Sequence, residues 1–150
     1  MATGDRFKKA IRAYIESWNL PIDIKEEKPV GYRFVGKPRH LDLILKHSDT
    51  NKYLGVEAKF QKTGGTTFQK LSYALQDCKA SPIPTLLVFA DPNNNIAIDL
   101  KAQLIFSGIG IELDFKYDED DESTDTIIDP NNLFRQRVYI ELGFDWFTLF

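Results

Sequence analysis

The sequence predicts one α/β domain with a restriction-endonuclease-like core, a mixed β-sheet flanked by helices in the order α-β-β-β-α-β. The chain has 150 residues and 43% hydrophobic content, enough for one core. Two segments repeat apolar residues at helical spacing, and strand-like runs lie between and after them. Since no linker or internal repeat divides the chain, we expect a single domain over residues 1–150.

The first predicted helix begins at Asp5 as N-cap and ends before Asn19-Leu20-Pro21. Its apolar stripe consists of Phe7, Ile11, Tyr14, Ile15 and Trp18. A β-rich segment covers residues 22–35, and Gly36-Lys37-Pro38 is typical of a turn.

Two strands are predicted next, at about 39–46 and 53–61, joined as a hairpin by the polar residues 47–52. A second helix follows, with Thr66 or Thr67 as its cap. Its buried stripe is Phe68, Leu71, Ala74, Leu75 and Cys78. Prolines end this helix, and residues 85–89 form an apolar run typical of a buried strand.

The last third is less regular. A strand or short helix is predicted at 96–106, a strand at 109–115 and a helix near 131–142. The acidic run at 118–122 indicates a solvated loop, and the chain ends in an aromatic tail at 144–150. We expect residues 112–150 to complete the core or to form an oligomer interface.

Composition excludes several classes of protein. No apolar run approaches the roughly 20 residues of a membrane span. The charged start lacks an apolar signal core, and the single cysteine, Cys78, cannot form an internal disulfide. These features predict a cytoplasmic protein without a membrane partner or a small-molecule cofactor.

Charge is unevenly distributed along the chain. Residues 1–111 carry 16 Lys and Arg against 11 Asp and Glu, a balance of +5. Residues 112–150 carry 3 against 11, a balance of −8, which completes the net charge of −3. A basic body suits a nucleic-acid partner, but clustered solvated charge gives the same pattern, so charge alone does not decide.

Chemistry-bearing residues stand on one face of each predicted hairpin strand, because successive side chains of a strand alternate faces. In the second strand, Glu57 and Lys59 share the face opposite Leu54, Val56, Ala58 and Phe60. In the first, His40, Asp42, Ile44 and Lys46 alternate with Leu41, Leu43 and Leu45, which we expect to face the core. The hairpin would bring Asp42 beside Glu57.

Two carboxylates suit Mg²⁺ or Mn²⁺, which keep several waters and accept phosphate oxygens. A nearby lysine can orient an attacking water and stabilise developing phosphate charge. The alternative is a structural Glu57–Lys59 ion pair on a solvent face, since Glu-x-Lys is common by chance. Asp42, the segregation of faces and the basic surroundings favour the catalytic interpretation.

Asp42, followed by Glu57-Ala58-Lys59 and then a helix, resembles the PD-(D/E)xK nuclease superfamily over about residues 5–90. The resemblance implies Mg²⁺-dependent cleavage of double-stranded DNA, with Mn²⁺ as a substitute. It implies Asp42, Glu57 and the carbonyl of Ala58 as metal ligands and Lys59 as the residue that positions water. Leu41 stands where the superfamily often has Pro.

The chain is also similar to small bacterial intron-encoded homing endonucleases with a restriction-type core, which implies a homo-oligomer, a dimer or tetramer. A Holliday-junction resolvase and a restriction enzyme remain alternatives. From other classes, a non-catalytic DNA-binding module of this fold and an interaction domain with an incidental Glu-x-Lys remain open.

Three further residues are secondary catalytic candidates. Gln61 shares the face of Glu57, and Gln69 with Tyr73 matches a Gln-x-x-x-Tyr element of some relatives. Glu16 resembles the first-helix carboxylate of resolvases, although an exposed pair with Arg12 is the simpler interpretation. The expected DNA contacts are Arg33, Lys37, Arg39, His40, Lys62, Thr66 and Lys70. Taken singly, each of them could equally be an ordinary polar residue of the surface.

Overall fold

The computed structural model describes residues 2–33, 36–62 and 67–149. Its helices are α1 (Thr3–Glu16), α2 (Thr67–Lys79), α3 (Ile98–Phe106) and α4 (Leu133–Leu142). Its strands are β1 (Ile22–Tyr32), β2 (Pro38–His47), β3 (Tyr53–Phe60), β4 (Thr85–Ala90), β5 (Gly110–Glu112), β6 (Asp114–Asp118) and β7 (Asp121–Ile128). The order up to β4 is the predicted α-β-β-β-α-β.

Five strands form one mixed sheet in the order β1-β2-β3-β4-β5. The pairs β1–β2 and β2–β3 are antiparallel, as short connections require, and the predicted hairpin at β2–β3 is confirmed. The pairs β3–β4 and β4–β5 are parallel, with α2 and α3 as the helical connections. The mixed sheet with flanking helices confirms the predicted fold class.

Helices cover both faces of this sheet, which creates two apolar layers. Buried residues of α1 and α4 pack on the face that carries Leu54 and Val56 of β3. Buried residues of α2 and α3 pack on the opposite face, against Leu87 and Phe89 of β4. All six residues of β4 are therefore buried, as expected for a parallel strand covered on both sides.

The start of α1 differs from the prediction. The helix begins at Thr3, Ala2 is its N-cap, and Asp5 lies inside the first turn. The Arg6 amide donates to the Ala2 carbonyl at 3.0 Å, so the helical hydrogen bonds begin three residues earlier than a cap at Asp5 would allow. Trp18 lies beyond the helix but remains buried against α4, where it contacts Tyr139.

The segment at 109–115 is two short strands in two different sheets, because β5 pairs with β4 whereas β6 pairs with β7. The acidic run at 118–122 is not a free loop. Asp118 ends β6 and Asp121 begins β7, so the run contains the tight turn of a hairpin. Arg6 of α1 binds this hairpin through the carboxylate of Asp125.

The aromatic tail divides into two parts. Phe144, Trp146 and Leu149 pack against the layer under α1 and α4, whereas Phe147 is 73% exposed. Cys78 is buried in the layer under α2, as its stripe predicted. No helix in the described ranges is both long and apolar enough to cross a membrane.

Candidate active site

The regular backbone pairing between β2 and β3 ends just before Asp42. Regular pairing runs from Lys46–Tyr53 to Leu43–Val56 and stops there. One step further, Asp42 Oδ2 accepts a hydrogen bond from the Ala58 amide at 2.7 Å. A side-chain carboxylate thus replaces a backbone acceptor, which fixes Asp42 at the point where the strands separate.

Ala58 has a second backbone group on the same side. In a strand, the N–H and C=O of one residue point to the same neighbouring strand. Gly55 and Gln61 donate toward the β4 side, to Pro84 and Ala90, so the even-numbered Ala58 points its carbonyl toward β2. This carbonyl lies where the ladder no longer provides a partner strand, next to the Asp42 carboxylate.

Glu57 faces Asp42 across this opening. Burial, a hydrogen bond with Asp42 and the negative charge of Asp42 together raise the pKa of Glu57 to about 9, while Lys59 acts in the opposite direction. Two carboxyl groups this close cannot both ionise easily without a cation. At neutral pH the metal-free pair therefore retains a proton.

Lys59 stands two residues along β3, on the wall of the same cleft as Asp42 and Glu57. The cleft has a volume of about 510 Å³. Within the part of the chain that the structure describes, the Lys59 ammonium has no hydrogen bond or salt bridge. It lies within electrostatic range of Glu57 and is available to a water or phosphate oxygen.

Basic side chains form a cationic wall in the cleft that contains Asp42, Glu57 and Lys59. Arg33, Arg39, His40 and Lys70 line the cleft, as does Asp77 of α2. Asp77 accepts a hydrogen bond from Arg33 Nε at 2.9 Å, and its other oxygen lies 3.9 Å from Arg39 Nη2. Asp77 therefore ties arginines from both ends of the β1–β2 connection to α2. The side chain of Arg39 is only 4% exposed.

The remaining predicted catalytic and DNA-contact residues that the structure describes do not line this cleft. Gln61 is buried beyond the cleft, Gln69 is exposed on α2, and Lys37 is exposed before β2. Glu16 forms a salt bridge with Arg12 Nε at 3.0 Å, the arrangement that helical spacing suggested. Lys62 binds Glu119 at 2.6 Å, and Thr66 lies outside the described residues.

Sequence reasoning missed three charged residues around the site. Lys8 of α1 contacts Asp42 and also binds Glu27 of β1, and no local sequence pattern indicated either contact. Burial lowers the pKa of Lys8, but the bond with Glu27 and the charge of Asp42 outweigh that effect and raise it. Asp77 had a signal, because Lys70, Tyr73 and Asp77 recur at helical spacing on one stripe of α2.

The donor set fits a small divalent cation. No cluster of three or more His, Cys, Asp or Glu in the described ranges could hold a metal alone. Asp42, Glu57 and the Ala58 carbonyl instead offer three oxygens, and hard cations such as Mg²⁺ complete such sites with water and phosphate. Burial and the neighbouring Asp42 raise the pKa of Glu57, as expected where two carboxyl groups share one site.

Comparison with known proteins assigns the family. The model of the PD-(D/E)XK nuclease superfamily domain matches residues 3–92 and thus includes α1 and the sheet through β4. No curated protein matches the chain. The matched region contains Asp42, Glu57 and Lys59, which line one cleft, and the chain belongs to the PD-(D/E)XK nuclease superfamily.

Proposed function

We propose that the protein is a Mg²⁺-dependent endonuclease that hydrolyses both strands of duplex DNA, with Mn²⁺ able to replace Mg²⁺. The observation that carries the proposal is the convergence of Asp42, Glu57 and Lys59 on one cleft with a cationic wall. A bound metal ion would supply a positive charge to lower the pKa of water and stabilise the leaving oxygen.

The chain's own residues divide the remaining work. Asp42, Glu57 and the Ala58 carbonyl would hold the cation, and Asp42 is itself fixed by a hydrogen bond from the Ala58 amide. Lys59 directs its ammonium to the attacking water or to the phosphate oxygen on which charge develops. The raised pKa of Glu57 means that cation binding displaces a proton, so binding is favoured as pH rises.

The proposed DNA surface starts at the cationic wall. Arg33, Arg39, His40 and Lys70 line the cleft, and Lys37 extends the surface along the β1–β2 connection. Lys62 contributes once a phosphate displaces the exposed carboxylate of Glu119, and Thr66 is proposed as a further DNA contact. Such contacts fix position on the duplex and weaken as salt rises.

Homing is the biological role that we favour, and a homo-oligomer is the proposed state, because cutting both strands requires two active sites. Exposed apolar side chains support association: Ile98 is 89% exposed, Phe106 87% and Phe147 73%. A Holliday-junction resolvase or restriction enzyme is the second candidate. It uses the same cleft and is distinguished by its substrate.

Cleavage of duplex plasmid DNA and of a four-way junction, each with and without Mg²⁺, tests the proposal. The wild-type protein should nick or linearise the duplex only with the metal. Glu57→Gln and Lys59→Ala should lower the rate by at least about a thousandfold while DNA binding persists. Lys79→Ala is the matched control, since Lys79 is exposed in the last turn of α2, outside the cleft.

The outcomes separate the candidates. Preferential cutting of the junction would support a resolvase. Salt-sensitive DNA binding without cleavage in either metal would support a non-catalytic binding module. Full activity in Glu57→Gln would contradict the assignment of the site.

A further inference from the structure

Lys8 contacts both Asp42 and Glu27. Its ammonium lies 3.4 Å from Asp42 Oδ1 and 2.9 Å from Glu27 Oε1. The Lys8 side chain is only 26% exposed and that of Asp42 13%, so water screens this contact less than it screens an ordinary surface pair. A positive charge of the protein itself thus already lies against a proposed metal ligand.

The two oxygens of Asp42 have different partners. Oδ2 accepts the hydrogen bond of the Ala58 amide at 2.7 Å, whereas Oδ1 faces Lys8. A divalent ion that binds Asp42 through Oδ1, the oxygen without the Ala58 hydrogen bond, meets the Lys8 ammonium there. That ion and the Lys8 ammonium would compete for the same oxygen.

Glu27 gives Lys8 a second position. Its neighbours Glu26 and Lys28 pair regularly with Leu43 and Leu41, but Glu27 itself adopts a φ of +54°. This conformation is uncommon for a residue with a side chain and interrupts the ladder opposite Asp42. The Glu27 carboxylate is 56% exposed and forms the shortest of the three salt bridges of Lys8, which also lies 3.6 Å from Asp5 Oδ1. Lys8 can keep this partner when it leaves Asp42.

We propose that Lys8 is a tethered cation that occupies Asp42 in the metal-free protein and competes with the divalent metal for it. This inference rests on the proposed metal site. Lys8 neutralises part of the carboxylate cluster when no metal is bound. When the metal arrives, Lys8 withdraws toward Glu27. Lys8 is thus a positioning residue, and it reduces the affinity of the site for metal.

Isothermal titration of the DNA-free protein with Mg²⁺ and Mn²⁺ tests this role without any measurement of cleavage. Lys8→Met keeps the apolar stem and removes the charge, so we expect the metal Kd to fall by about tenfold. Lys9→Met is the matched control on the same helix, and its Kd should remain that of the wild type. Lys9 has no hydrogen bond or salt bridge within the described residues.

Glu27→Gln provides an independent test, because it removes the carboxylate that forms the shortest salt bridge of Lys8. Metal binding should weaken in this variant, and the weakening should be smaller when Lys8→Met is also present, since no lysine then remains to compete. Circular dichroism of each variant confirms that the fold is retained.

Three results would overturn the inference. An unchanged or higher Kd in Lys8→Met, with wild-type binding abolished by Asp42→Asn, refutes competition while the proposed metal site stands. An equal effect of Glu27→Gln with and without Lys8 refutes the tether. Absence of metal binding in both the wild type and Lys8→Met overturns the metal site and the inference together.

Discussion

The two faces of the five-stranded sheet differ in polarity. The face under α1 and α4 is apolar along its length and extends from Leu43 and Leu45 on β2 to Ile111 on β5. The face under α2 and α3 is apolar only around β4 and α3. Toward β2 it becomes the charged cleft of Glu57 and Lys59.

Strand β3 contributes side chains to both faces, so the buried apolar residues on one face can offset the destabilising charged residues on the other. Leu54 and Val56 are fully buried on one face, whereas Glu57 and Lys59 are half-buried on the other. Placing like-charged carboxyls together costs stability, and the apolar face offsets that cost. We therefore expect truncation of the apolar face to lower stability, whereas removal of the Glu57 charge on the other face should raise stability and abolish activity.

The largest effect on stability should come from the apolar face. Phe134 of α4 is fully buried beside Trp18. Phe134→Ala should lower the free energy of unfolding by about 4 kcal/mol, because it removes a large side chain and leaves a cavity. Urea unfolding followed by circular dichroism measures this. Phe106→Ala, at a position 87% exposed, is the control and should change stability by less than about 0.5 kcal/mol.

Asp77 tests the charged face. Asp77→Asn keeps the shape but leaves the buried Arg39 without its counter-charge, so we expect a loss of about 3 kcal/mol in the same unfolding measurement. Asp49→Asn, in the exposed β2–β3 connection, is the control. A loss below about 1 kcal/mol would show that the Arg39 guanidinium does not depend on Asp77.

Glu57→Gln should instead stabilise the metal-free protein. In the folded protein the pKa of Glu57 is raised to about 9, above the ordinary 4.5. The folded protein therefore becomes less stable as pH rises from about 4.5 toward 9, because folding opposes the ionisation of Glu57. At pH 8 with a chelator, the variant should melt about 5 °C above the wild type, and at pH 4 the difference should vanish. A higher melting temperature for the wild type at pH 8 would contradict the shared proton.

The smallest effect should come from Arg12–Glu16, a largely exposed pair one turn apart on α1 whose arginine also binds Glu26 of β1. Glu16→Gln should change the free energy of unfolding by at most about 0.5 kcal/mol, because water screens the pair. The difference should shrink further in 0.5 M salt than at low salt, which urea titrations under both conditions can measure. A loss above 1 kcal/mol would place Glu16 in a tighter network than its one salt bridge indicates.

Local patterns predicted the centre of the site because its geometry is local. Alternation along β3 put Glu57 and Lys59 on one face, and the short connection from β2 brought Asp42 opposite. Leu41, Leu43 and Leu45 are all buried, as the alternation along β2 predicted. Leu41 packs close to Gly55, where an added Cβ would lie 2.6 Å from Leu41 Cδ1.

Contacts distant in sequence could not be predicted in this way. The bond of Lys8 with Glu27 depends on how α1 lies over β1, and the positive φ of Glu27 has no sequence signal in a glutamate. The division of residues 109–115 between two sheets likewise depends on tertiary pairing. A three-residue strand such as β5 forms only because β4 provides an edge for it.

The hydrogen bond from the Ala58 amide to Asp42 has a practical consequence. It makes one backbone proton a direct reporter on a proposed metal ligand, and it lies on the residue between Glu57 and Lys59. A charge-assisted bond of 2.7 Å gives such a proton a characteristic chemical shift and slow exchange with solvent. Nuclear magnetic resonance of one assigned amide would thus follow the arrival of a cation, the withdrawal of Lys8 and the approach of a phosphate without any added probe.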